Sequence, residues 1–155
     1  MYDTPHPLAR MTETQSERRG HAFLPPDEEL IDIPGLFDQE ETPDWLVMIH
    51  LHYFGFGIDW WVAELGQRKD APGRWDAFGY RRIENDSAPV LTRFSLNDIE
   101  WLSVPIGPHP SDPILHLHHL AGVRSVVERD LHWSPAAAFE CIPGMADKQN
   151  GATRA

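Results

Sequence analysis

His50, His52, His116, His118, Glu128, Asp130 and His132 are the residues of this 155-residue chain whose types and spacing could do chemistry. Neutral imidazole and carboxylate are suitable ligands for zinc and for other divalent transition metals such as iron or manganese. On a strand, His50-Leu51-His52 places two imidazoles on one face, about 6–7 Å apart. Glu128, Asp130 and His132 alternate in the same way along residues 123–133, so two carboxylates and a third imidazole would share a face. A metal-binding domain or metal-dependent hydrolase is what such a cluster would support. His116, His118 and His119 add donors, of which two at most converge: His116 with His118 on a strand, or His116 with His119 on a helix. No His-Glu-x-x-His or paired Cys-x-x-Cys pattern accompanies them. Half-buried histidines bonded to backbone or carboxylate therefore outrank ligands, and the leading expectation assigns no catalytic residue and no cofactor, with zinc or a similar metal as the alternative.

Other enzyme classes find less. Gly55-Phe56-Gly57 is too short and too aromatic for a phosphate loop, and no Gly-Lys-Ser/Thr follows it. Ser95, Ser103, Ser125 and Ser134 lie in no Gly-x-Ser-x-Gly elbow. Cys141 is the one cysteine, which excludes a disulfide within the chain. No positive residue stands near it in sequence to lower its pKa, so an inert thiol is expected.

The elements that must position these residues are legible as periodicities. Residues 45–54 have a buried-strand composition, with Trp45, Val47, Ile49, Leu51 and Tyr53 on one face and Leu46, Met48, His50, His52 and Phe54 on the other. Gly55-Phe56-Gly57 then predicts a hairpin into a second strand over 58–65. Further strands are predicted at 75–83 and 90–94. Ser95-Leu96-Asn97-Asp98 reads as a capped helix start, burying Leu96, Ile99 and Trp101 or Leu102. Asp112-Pro113 favours a short helix over 113–120. Residues 123–133 follow as a central or near-central strand, and Ser134-Pro135 opens a last helix that Pro143-Gly144 ends. This order predicts an α+β fold: one small domain over 45–142, mainly antiparallel sheet, with two or three short helices on one face. Residues 143–155 are expected to be a flexible tail.

Charge sets residues 1–44 apart. Residues 27–44 hold Asp27, Glu28, Glu29, Asp32, Asp38, Glu40, Glu41 and Asp44 with no Lys or Arg, a net charge of −8 out of −11 for the chain. Residues 1–26 are polar, proline-bearing and aperiodic, so 1–44 is expected to be a disordered or loosely packed acidic extension, although Pro26-Asp27-Glu28-Glu29 allows a short helix. No concentrated basic surface is visible, which disfavours direct nucleic-acid binding. No apolar run reaches the roughly 20 residues of a membrane span, and the N-terminus lacks the basic-then-apolar order of a secretory signal. A cytoplasmic protein is expected.

Trp61-Val62-Ala63-Glu64-Leu65, Phe78-Gly79, Ser95-Leu96 with Glu100, and Glu128-Arg129-Asp130-Leu131-His132-Trp133 occur in an order that resembles a small bacterial plasmid and mobile-element family, domain of unknown function family 2958. The similarity spans about residues 45–140, and the last motif is its specific part. The resemblance implies genes carried on plasmids and integrated elements, beside DNA-processing and antirestriction genes, and it implies no catalytic residues. The acidic extension and the His-bearing stretch 105–120 depart from the pattern.

Composition and resemblance together predict a non-enzymatic interaction protein of a mobile element, with an antirestriction or anti-defence role. It would cover a nucleic-acid-binding host or element protein with carboxylates, through Asp27, Glu28, Glu29, Asp32, Asp38, Glu40 and Glu41. A purely structural homodimer is the remaining alternative.

Overall fold

The structure, a computed structural model, describes the backbone of residues 2–3 and residues 10–84, 87–106 and 123–148. Its centre is the hairpin of β3 (Leu51–Gly55) and β4 (Ile58–Arg68). Phe56 and Gly57, the two loop residues, both have positive φ, 58° and 73°, as a hairpin twisting with its strands requires. β5 (Trp75–Ile83) and β6 (Val90–Ser95) extend the sheet on one side, and β9 (Glu128–Arg129) closes the other, giving the antiparallel order β6-β5-β4-β3-β9. β1 (Tyr2–Asp3) pairs with the far end of β4. Two small ribbons stand apart, β2 (Met48–Ile49) with β10 (Ala136–Ala137) and β7 (Ser103–Pro105) with β8 (Arg124–Val126). The fold is α+β, as expected.

Each sheet face carries its own core. Leu51, Tyr53, Trp60, Val62, Leu65, Trp75 and Ala77 pack on one face, and Trp61, Ala63 and Tyr80 on the other. The register slips at a bulge between Val62 and Glu64, where Ala63 is the extra residue. Gly79 sits opposite this bulge, and a Cβ there would lie 1.9 Å from the Trp61 carbonyl oxygen. Only glycine fits.

Residues 10–44 are not a loose extension. Met11, Phe23, Leu24, Leu30 and Ile33 are buried in the first core, each side chain contributing about 1.5–3 kcal/mol by leaving water. Tyr53 donates a hydrogen bond to the Phe23 carbonyl at 2.9 Å, with the two rings stacked. Helix α1 (Ser16–Arg19) carries Arg19 under the sheet, where it meets Glu100 of α3 (Leu96–Trp101) at 2.8 Å. The domain therefore begins well before residue 45. These apolar residues are too widely spaced among charges to show a period, which is why the sequence read as solvated. Met145 is also buried, so the chain stays packed beyond 143.

Four further expectations change. The stretch 45–54 breaks at His50, whose N–H bonds to the Val62 carbonyl at 2.8 Å. Ile49 and Leu51 consequently enter opposite cores. The stretch 123–133 divides into β8 and β9 around buried Val127, lies at the sheet edge and not its centre, and ends where the Asp130 side chain accepts the His132 N–H at 3.0 Å. The last helix, α4 (Ala138–Cys141), starts later than Ser134-Pro135 implied, because Ala136–Ala137 pairs with β2. It packs on the face opposite α2 (Asp27–Ile31) and α3, so the helices do not share one side. The Ser95 cap is present, accepting the Asp98 N–H, and Leu102 is half-buried while Trp101 is 67% exposed. The helix expected over 113–120 lies outside the described residues.

Candidate functional site

His50, His52, Glu128, Asp130 and His132 fall within the described residues; His116 and His118 do not. The five do not converge. His52, on β3, stacks on Trp61 with ring centroids 5.4 Å apart, and Trp133 flanks it at 5.2 Å. Its Nε2 lies 2.8 Å from Asp59 and its Nδ1 3.4 Å from Asp130. Arg82 donates to the other Asp59 oxygen at 2.8 Å. The two ring nitrogens face two different carboxylates, so both are engaged within the cluster. The cluster fastens the edge strand to the hairpin, as a cross-strand pairing does.

The remaining donors go elsewhere. Glu128 pairs with His21 Nε2 at 2.6 Å. His132 is exposed. His50 lines a cavity of about 220 Å³ with Glu29, Asp32 and Ser134. Burial lowers its pKa against the opposing pull of the Asp32 charge. Among the described residues, no group of three or more His, Cys, Asp or Glu side chains is arranged to hold a metal ion.

The acidic residues form the more coherent feature. Residues 27–44 run as a folded strap across the edge of both cores. Asp27, Glu28 and Glu29 occupy the first turn of α2, where carboxylates favour the helix dipole. Leu30, Ile33 and Leu36 are buried and anchor the strap. The Leu65 N–H bonds to the Pro34 carbonyl at 2.9 Å, and Asp38 accepts the Gly35 N–H at 2.7 Å. Gln39 is the clamp: its side chain donates to the Ala63 carbonyl at 3.1 Å and accepts the Met48 N–H at 2.9 Å. Every one of the eight acids in the strap is exposed. Ile31 (60%), Phe37 (57%), Met48 (39%) and Leu46 (38%) are exposed around them.

Beneath the strap lies a cavity of about 290 Å³, walled by Leu36, Val47, Phe78 and Leu91 and reached by Glu64. Glu64 is 3% exposed, and its Oε2 accepts the Gln39 N–H at 2.7 Å. Sequence reasoning passed over Glu64, Asp59 and Arg82. Their signal was available: Glu64 is the one acid in the otherwise apolar run 60–65, and a lone carboxylate inside a buried strand needs a reason.

Cys141 is a free, half-buried thiol. Burial, aided by the neighbouring Glu140 charge, pushes its thiol up to about 11, and Sγ lies 3.3 Å from the Ala137 carbonyl. Reaction with Ellman's reagent at pH 8 is expected to run about a hundredfold slower in the native protein than in urea, since the thiolate is the reacting species.

No helix among the described residues is long and apolar enough to cross a membrane. Comparisons with protein-family models, with curated proteins and with solved structures find no match to this chain.

Proposed function

We propose that this is a non-enzymatic binding protein whose acidic strap receives a basic protein surface. The observation that supports the reading is the division of labour within 27–44: the apolar residues anchor the segment while its eight acids lie exposed, Asp27 paired with Arg10. A fixed, predominantly negative field attracts and orients an oppositely charged partner. Because the strap is already ordered, binding loses less conformational entropy than a disordered acidic tail would. Ile31, Phe37, Leu46 and Met48 add apolar contact within the charged field. The partner chemistry it fits is a Lys- and Arg-rich protein surface of the kind that holds nucleic-acid phosphates. An antirestriction or anti-defence role for a mobile-element protein would take this form.

The test is competition with DNA. Labelled duplex bound to a sequence-nonspecific basic DNA-binding protein should be released by this protein, read as a fall in fluorescence anisotropy. A strap variant carrying Glu28→Gln, Glu29→Gln, Glu40→Gln and Glu41→Gln should need about tenfold more protein for the same release. A control carrying Glu84→Gln, Asp98→Asn, Glu140→Gln and Asp147→Asn has the same net charge and should behave as the parent does. Equal losses in both variants would reduce the effect to net charge and sink the role of the strap.

A further inference from the structure

We propose that the cavity under the strap is a socket for one lysine side chain, supplied by the basic partner; this rests on the reading of the strap as the partner-binding face. Glu64 carries the argument. It is 3% exposed, and among the described residues its carboxylate takes a single hydrogen bond, from Gln39 N–H to Oε2. Oε1 is not among the fully buried side-chain atoms that lack a partner, so it keeps accessible surface, and a cation can reach it. No donor reaches Oε1 among the described residues, and Glu64 borders the cavity.

The size and walls of the cavity narrow the occupant. At about 290 Å³ it stands at the lower end of the roughly 300–1,000 Å³ of ligand pockets. That volume accommodates one extended side chain. Leu36, Val47, Phe78 and Leu91 give it an apolar wall, which a methylene stem can cover while its charged end finds a partner. Glu40 also borders the cavity and adds attraction for a cation.

The accepting geometry selects lysine over arginine. Guanidinium binds carboxylate best as a fork on two oxygens. Gln39 takes one acceptor site on Oε2 and leaves Oε1 as the oxygen without a donor, which matches the compact ammonium of lysine. Arg93, beside the cavity, lies over the Phe37 ring, 5.3 Å from its centroid.

The experiment is a ¹H–¹⁵N NMR titration of the full chain with Nα-acetyl-lysine N-methylamide, the arginine counterpart and the uncharged norleucine counterpart. The lysine amide should shift the Ala63, Glu64 and Phe78 amides saturably, with Kd on the order of 1–10 mM, as expected of so small a ligand. The arginine and norleucine compounds should bind at least about tenfold more weakly. Glu64→Gln, which can still accept the Gln39 N–H, should weaken lysine binding about tenfold or more, with an otherwise unchanged amide spectrum. Leu91→Trp, which fills the cavity and leaves Glu64 in place, should do the same.

Equal binding of lysine and norleucine compounds, or full binding by both variants, overturns the socket. Equal binding of the arginine compound overturns the choice of lysine. The DNA-release assay separates this inference from the strap: release that needs the strap acids and is indifferent to Glu64→Gln leaves the strap standing and removes the socket from the interface. Lysine-amide binding with release indifferent to the strap acids overturns the partner as the source of the lysine.

Discussion

Replacing Glu100 with glutamine is expected to destabilise the protein by about 3–5 kcal/mol, because it breaks a buried ion pair by removing one charge. Glu100 is 1% exposed and Arg19 5%. The carboxylate accepts from the Thr14 N–H and hydroxyl, both at 2.7 Å, from the Gln15 N–H at 3.0 Å and from Arg19 Nη2 at 2.8 Å. Glutamine would present an amide nitrogen to donors and leave the Arg19 charge with Glu13 alone, at 3.3 Å. Urea unfolding followed by tryptophan fluorescence measures the loss. A double variant, Arg19→Met with Glu100→Met, should recover much of it, since apolar replacement of a whole buried pair is often neutral. A double variant as unstable as Glu100→Gln would show that the pair is not the source.

The same site gives the stability a pH dependence of known sign. Burial acts to raise the Glu100 pKa, but the bonds from Thr14, Arg19 and Gln15 outweigh it, and the value falls below the ordinary 4.5. A carboxyl with a depressed folded-state pKa binds its proton more readily when unfolded. Its stabilisation is therefore complete above the ordinary carboxylate range and is lost as pH falls through the folded value. The melting-temperature gap between parent and Glu100→Gln should be widest near neutral pH and should narrow as pH falls below the ordinary carboxylate range.

The second large effect is at Gly79. Alanine there would place its Cβ 1.9 Å from the Trp61 carbonyl oxygen and 3.1 Å from the Ala63 nitrogen. Both are backbone atoms of the bulged strand and cannot rotate away. Overpacking against fixed atoms costs about 1–3 kcal/mol, and we expect Gly79→Ala to reach about 3 kcal/mol by the same urea titration. Gly57→Ala makes the contrast: no atom lies within 4 Å of its Cβ, and the φ of 73° alone carries its cost. A loss at Gly79 no larger than at Gly57 would show that the bulge moves freely.

Local signals in the sequence were read correctly where short-range chemistry governs. The hairpin at 55–58, the Ser95 cap and the short helix at 27 follow from residue types within one turn of each other. The readings that failed were non-local. His50 interrupts its strand because β10 claims Met48 and Ile49, and nothing near residue 50 signals that pairing. Residues 10–33 read as solvated because their few apolar side chains serve a sheet encoded far downstream. The described part of the histidine cluster separates for a related reason: alternation along 123–133 presumed one strand, but β9 ends at Arg129, and Glu128 meets His21 while Asp130 meets His52. The strap acids were visible as charge, whereas their ordered surface depends on Leu30, Ile33 and Leu36 finding the core.

The Arg19 contacts also carry a consequence for the order of events at the ribosome. Arg19 Nε donates to the Val127 carbonyl, 108 residues along the chain, and Nη2 to Glu100, 81 residues along. At roughly 5–20 residues per second, a segment waits about 5–20 s for a partner 108 positions behind it. Phe23 meets Tyr53 only 30 residues along, so the apolar contacts of the N-terminal segment can form with the hairpin while the Arg19 bonds still wait for residues 100 and 127. The central hairpin can assemble meanwhile from near neighbours, and the Arg19 bonds form afterwards.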